Sequence, residues 1–190
     1  MNTRHQLFLT AALGLALART AWADPTAFAV AKKGDEYVGI QSKDKVVRLE
    51  SEKSVASLTP NIWHVEFYDP DTPFRCVDIK FGAGQEMDVS HPIRPFQLPT
   101  KEDQILAPAK LKVDSDQALK IAAAQPLLKS LTLKASKLTL DQGDIGPVWK
   151  VQLWAAKLNH PSREADIGTV TLSATDGTVV RSDLHPGRVD

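Results

Sequence analysis

Apolar and polar residues alternate strictly in two stretches of this chain, and the two stretches resemble each other. In the first, Trp63, Val65 and Phe67 alternate with His64, Glu66 and Tyr68; in the second, Trp149, Val151 and Leu153 alternate with Lys150, Gln152 and Trp154. A period of two marks a strand with one buried face. Each strand is entered through a proline, Pro60 or Pro147, where a missing amide donor does least harm. Each then turns into a return strand, through Val77, Ile79 and Phe81 to Gly82 and Gly84, or through Ile167, Val170 and Leu172 to Gly177. A repeated supersecondary unit in two copies leaves two packed domains or one pseudo-symmetric sheet as arrangements.

The rest of the chain supplies one helix and two more strands per copy. Ala27, Val30 and Ala31 keep helical spacing behind Asp24 as N-cap and Pro25 at the first position, up to Gly34. Strands are predicted at 45–54 and 85–89. Prolines 92, 95, 99 and 108 break the pattern, and their density excludes regular helix or central strand. In the second copy Asp114 or Ser115 caps a helix carrying Ala118, Ile121 and Ala122, and Pro126 ends it. Along 131–140 the apolar residues switch parity after Ala135, which predicts a bulge. A long hairpin tip is expected at 159–165, and Asp176-Gly177 turns the chain into a last strand at 179–184. The fold class expected is α+β: two tandem helix-plus-four-stranded antiparallel units, 24–90 and 114–190, joined by a Pro-rich connector, 91–113, each with its helix on one sheet face and the other face open.

Charge and composition narrow the setting. The chain has 190 residues, 43% of them hydrophobic, and a formal net charge of zero, which argues against nucleic acid as a partner. Residues 1–23 read as a signal peptide: Arg4 and His5, an apolar run from Leu7 to Leu17 shorter than a membrane span, and Ala21-Trp22-Ala23 as the cleavage site. Cleavage after Ala23 takes Arg4 and Arg19 from 23 basic residues and nothing from 23 acidic ones, leaving 21 against 23. A periplasmic or secreted location is expected, without membrane insertion after cleavage. The lone Cys76 excludes an internal disulfide; its parity, shared with Asp78 and Lys80, places it on the open face within reach of solvent.

The second half resembles a PepSY-type domain. The helix with Ala118, Ile121 and Ala122, the strand Pro147-Val148-Trp149-Lys150-Val151 and the run Ala174-Thr175-Asp176-Gly177-Thr178-Val179-Val180 carry the likeness. The first half is similar but more divergent, through Trp63-His64-Val65 and Phe81-Gly82-Ala83-Gly84, without the Asp-Gly turn. The tandem arrangement is also similar to the β-lactamase inhibitor protein architecture, in which two such units grip a partner with a concave sheet. The resemblance implies an exported, non-enzymatic module and transfers no catalytic residue.

Candidate residues follow from parity. Trp63 and Trp149 fall with valine and leucine and belong to the core. Tyr68 and Trp154 have the opposite parity and are candidate partner anchors on the open face, since Trp and Tyr dominate interface hot spots; the alternative is that the connector or the other unit covers them. His64, Glu66 and Lys150 share that face. His64 and Glu66 lack the third ligand or nucleophile that metal binding or acid/base work needs, and His91, His160 and His185 sit beside prolines without metal-ligand spacing. Asp69 and Asp71 read as turn formers. No cofactor and no enzymatic activity are expected. The function expected is a module that binds a protein or peptide of the cell envelope, with a small-molecule or metal-binding sensor or carrier as the alternative.

Overall fold

The computed structural model describes residues 25–91, 98–157 and 160–189. The expected signal segment, Asp24 and residues 92–97 of the connector lie outside the described residues. The cap expected at Asp24 is a correction: the N-cap of the first helix is Thr26, whose hydroxyl accepts the Ala29 amide at 3.4 Å, and the helix starts two residues later than expected. Chain order is α1 (Ala27–Gly34), β1 (Val46–Ser51), β2 (Ile62–Tyr68), β3 (Cys76–Gly82), β4 (Gln85–Ser90), α2 (Ser115–Ala123), β5 (Leu131–Gly143), β6 (Gly146–Lys157), β7 (His160–Ser173) and β8 (Val179–Leu184). The class is α+β.

The eight strands form one antiparallel sheet in the order β4-β3-β2-β1-β5-β6-β7-β8. Of the two arrangements expected for the two four-stranded units, two packed domains or one pseudo-symmetric sheet, the structure has the single sheet: β1 and β5 pair directly, Leu49 opposite Leu140 and Glu50 opposite Thr139. Past those two residue pairs the strands diverge, and serine hydroxyls take over as acceptors. Ser51 Oγ accepts the Leu138 amide at 2.8 Å, and Ser54 Oγ accepts the Ser136 amide at 2.9 Å. The Ser54 amide donates back to the Ser136 carbonyl at 2.8 Å. These buried serines satisfy amides that would otherwise lack an acceptor.

Both helices lie on one face, over a single continuous core. Trp63 and Trp149 are both buried there, edge to face at a centroid distance of 6.5 Å. Trp149 Nε1 donates to the Val113 carbonyl at 2.8 Å, so the connector is fixed to the second indole. Phe28 of α1 stacks on Trp149 at 6.3 Å. Leu106, in the connector, is also buried, and its amide donates to the Val46 carbonyl at 2.8 Å. The two helices meet at their N-termini: Asp114, the N-cap of α2, accepts the Phe28 amide at 3.1 Å, and Ser115 Oγ accepts that of Ala27 at 2.9 Å. Gly34 ends α1 against β2, where an added Cβ would stand 2.7 Å from the Phe67 ring. Among the described residues no helix is long and apolar enough to cross a membrane.

The bulge expected near Ala135 is present, as a register shift between Leu133 and Ala135 in the β5–β6 ladder. The tip expected at 159–165 is shorter than predicted, because β6 and β7 stay paired as far as Lys157 and His160. Polar residues there obscure a strand that pairing with β6 imposes.

Candidate functional site

The face away from the helices carries the candidate site. Register fixes a row of side chains running across the whole sheet: Asp88, Lys80, His64 and Glu50 on β4 to β1, then Thr139, Lys150, Thr171 and Arg181 on β5 to β8. Neighbours in such a row stand about 4.5–5.5 Å apart at Cβ, near enough for charges to pair.

On β1–β3 they form a linked ionic cluster. His64 Nδ1 lies 3.0 Å from Asp78 Oδ2, and its Nε2 lies 3.5 Å from Glu52 Oε1. Lys80 Nζ donates to the same Glu52 oxygen at 2.7 Å. Glu50 pairs with Arg48 along β1 and with Lys137 of β5 across the seam. The hydrogen bond to Asp78 raises the His64 pKa above that of free imidazole, against the opposing effect of burial. The Lys80 hydrogen bond holds the Glu52 carboxyl below its ordinary range. Burial pushes Glu50 up, but the Lys137 hydrogen bond and the Arg48 charge outweigh it and the net direction is down. Asp78 Oδ1 is buried with no hydrogen-bond partner among the described residues.

On β6 the half-buried Trp154 forms the second feature. The Lys53 ammonium sits 4.6 Å from its ring centroid and also pairs with Glu164. Lys53 follows β1, so this cation–π contact ties the loop between β1 and β2 to the far half of the sheet. Gln152 Nε2 donates to Asp166 Oδ2 at 2.7 Å, and exposed Lys150 pairs with Asp141 at 2.8 Å. Lys150 and Trp154, four residues apart on one strand, are separated by roughly 13 Å.

At one end of the same face, the connector and the strand ends enclose a groove of about 570 Å³. Arg48, Glu66, Asp141, Leu98, Thr100 and Gln104 are among its lining residues.

The expected anchors thus divide. His64, Glu66, Lys150 and Trp154 share the open face, with His64 and Lys150 in one row. Tyr68 is a correction: it is only 6% exposed, and it is not an anchor. It lies at the end of β2 opposite Cys76, its amide donates to the Lys45 carbonyl at 2.8 Å, and the Lys45 ammonium stands 5.7 Å from its ring centroid. The connector reaches the adjacent hairpin, where the Thr100 amide donates to the Phe74 carbonyl at 3.0 Å. Cys76, expected within reach of solvent, is buried beside it. Parity named the side of the sheet correctly for both, but parity carries no information on what packs over a strand end. Asp69 does form a turn, its Oδ1 accepting the Asp71 amide at 2.9 Å.

Sequence reasoning missed Glu50, Glu52, Arg48 and Lys137. Their alternation along β1 and β5 was a usable signal; their convergence on His64 and Glu50 was not, because it depends on the β1–β2 register and, for Lys137, on the β1–β5 seam. Among the described residues no group of three His, Cys, Asp or Glu side chains converges as a metal site. Comparison with known protein families, with characterised proteins and with solved structures finds no match.

Proposed function

We propose that this protein is an exported, non-catalytic binding module that engages a protein or peptide of the cell envelope through the open face of its sheet. In this reading the chain is two PepSY-like helix-plus-four-strand units, 24–90 and 114–190, fused edge to edge through β1 and β5. One observation carries it: among the described residues both α-helices cover the same side of the eight-stranded sheet, while the other side, beyond the end that the connector packs against, presents an ordered charged row and the half-buried indole of Trp154. A broad face with an aromatic anchor and a polar surround has the composition of a protein interface. Residues 1–23 direct export, and sequencing of the mature N-terminus tests that, with Asp24 as the expected first residue. Pull-down from a periplasmic extract with wild type and with Trp154→Ala/Lys150→Glu tests the face; equal recovery by the two proteins excludes it.

A second reading, a small-molecule carrier, draws on an apolar cleft of about 360 Å³ on the helix side. Phe28, Ala31, Val46, Leu106 and Leu111 line it, over a floor at Leu49. A thermal-shift screen with hydrophobic ligands tests it, since a ligand bound by the folded state alone stabilises as RT ln(1 + [L]/Kd). No shift for any ligand removes this reading.

A further inference from the structure

We infer that His64 is a proton switch in the proposed docking face, its imidazolium bridging the carboxylates of Asp78 and Glu52 at acid pH and its neutral form giving up that charge to a cationic side chain of the partner at neutral pH. The inference rests on the open-face reading and assigns its regulation.

The geometry of the imidazole carries the argument. Both ring nitrogens face carboxylate oxygens, Nδ1 towards Asp78 on β3 at 3.0 Å and Nε2 towards Glu52 beyond β1 at 3.5 Å. An imidazolium has two N–H donors and satisfies both contacts; a neutral imidazole has one donor, so one nitrogen must then turn a lone pair towards a carboxylate. Loss of the proton therefore breaks one of two bridges spanning three strands. The longer contact, to Glu52, is the one that yields, while Lys80 continues to hold Glu52 Oε1 at 2.7 Å.

The surrounding charges set the sign. Glu50 of β1 and Lys80 of β3 stand directly opposite His64 in register, and Glu66 and Asp78 stand opposite each other. Around His64 on the open face the described residues bring five carboxylates, Glu50, Glu52, Glu66, Asp78 and Asp88, against three fixed cations, Arg48 and Lys80 on β1 and β3 and Lys137, which pairs with Glu50 from β5. His64 is the group in this array whose ordinary titration falls between about pH 5 and 8. Deprotonation removes the positive charge from between Asp78 and Glu52 and leaves a more negative face, and a lysine or arginine from a partner supplies that charge in its place. Proton and partner compete, so acidification releases the partner.

The test has two arms. Side-chain NMR of the free protein follows His64 together with the Glu52 and Asp78 carboxylate carbons through pH 5 to 8. A shared midpoint, absent in His64→Gln, supports the switch; His64 titrating while both carboxylates stay still overturns it. The second arm repeats the periplasmic pull-down at both ends of that range, quantifying the protein whose capture needs Trp154. Recovery by wild type falls roughly tenfold at the acid end, the equivalent of one charge-assisted contact, and His64→Gln loses the pH dependence. Recovery that is flat with pH, or that rises on acidification, overturns the inference and leaves the docking face standing. Capture indifferent to Trp154 brings down the face itself, whatever the NMR arm shows.

Discussion

Replacing Ser51 and Ser54 by alanine removes two acceptors at the seam between β1 and β5. Both hydroxyls are buried, at 1% and 4% exposure, and their loss leaves the Leu138 and Ser136 amides without the acceptors they now have at 2.8 and 2.9 Å. A buried donor left unpaired costs about 1–3 kcal/mol, so the double variant loses about 2–6 kcal/mol if the two sites add. That is a large part of the 5–15 kcal/mol that typically holds a domain folded. With a urea slope of about 2 kcal/mol per molar, the midpoint falls by roughly 1–3 M. Urea unfolding followed by tryptophan fluorescence and by far-ultraviolet circular dichroism measures it. Both probes should move together, because Trp63 and Trp149 share one core and Trp154 stands on the same sheet. Ser57→Ala, at an exposed hydroxyl donating to the Thr59 carbonyl, is the control and stays within about 0.5 kcal/mol. A double variant as stable as that control, or two separated transitions in the wild type, refutes the account of one sheet stitched by serines.

Three further outcomes follow from the structure. Trp149→Phe removes a buried Nε1–Val113 hydrogen bond and part of a filled volume, and calorimetry should show a loss of about 2–4 kcal/mol; a loss below about 1 kcal/mol contradicts the packing described. Gly168 adopts φ +111°, and a Cβ there would stand 2.0 Å from the Asp183 carbonyl oxygen of β8, so Gly168→Ala should strip the β8 amides of hydrogen-exchange protection while those of β2 keep theirs. Retained protection in β8 refutes that close approach. For His64, the folded pKa is raised, so its pairing with Asp78 stabilises fully below the unfolded value of about 6.5 and ceases to do so as pH rises through the folded value. Wild type should therefore exceed Asp78→Asn by a few tenths up to about 1 kcal/mol more near pH 6 than near pH 8, since both side chains are partly screened by solvent. A difference that grows with pH contradicts the sign.

Local signals made most of the elements legible. Alternation located β1, β2, β3 and β6, the parity switch at Ala135 located a bulge, and of the two caps offered for α2, Asp114 or Ser115, the structure uses Asp114. Indoles 63 and 149 follow the same rule, because a residue's parity fixes its side of the sheet. What stayed hidden depends on contacts distant in sequence. The β1–β5 pairing joins residues some ninety positions apart through only two ladder pairs and three serines, and serine carries no strand signal of its own. Tyr68 and Cys76 were assigned to the correct side, but their burial comes from packing at the end of the sheet. The ionic cluster around His64 was half visible: Asp78 and Lys80 share a parity, but only the register brings Glu52 and Glu50 beside them.

The claim on which the functional reading depends is that partners meet the bare side of the sheet. Site-specific photocrosslinking in cells tests it, with benzoylphenylalanine placed at exposed Lys150 of β6 or at exposed Gln117 on the outer surface of α2. The account predicts a discrete adduct from position 150 and none from position 117. An adduct from position 117 alone contradicts it.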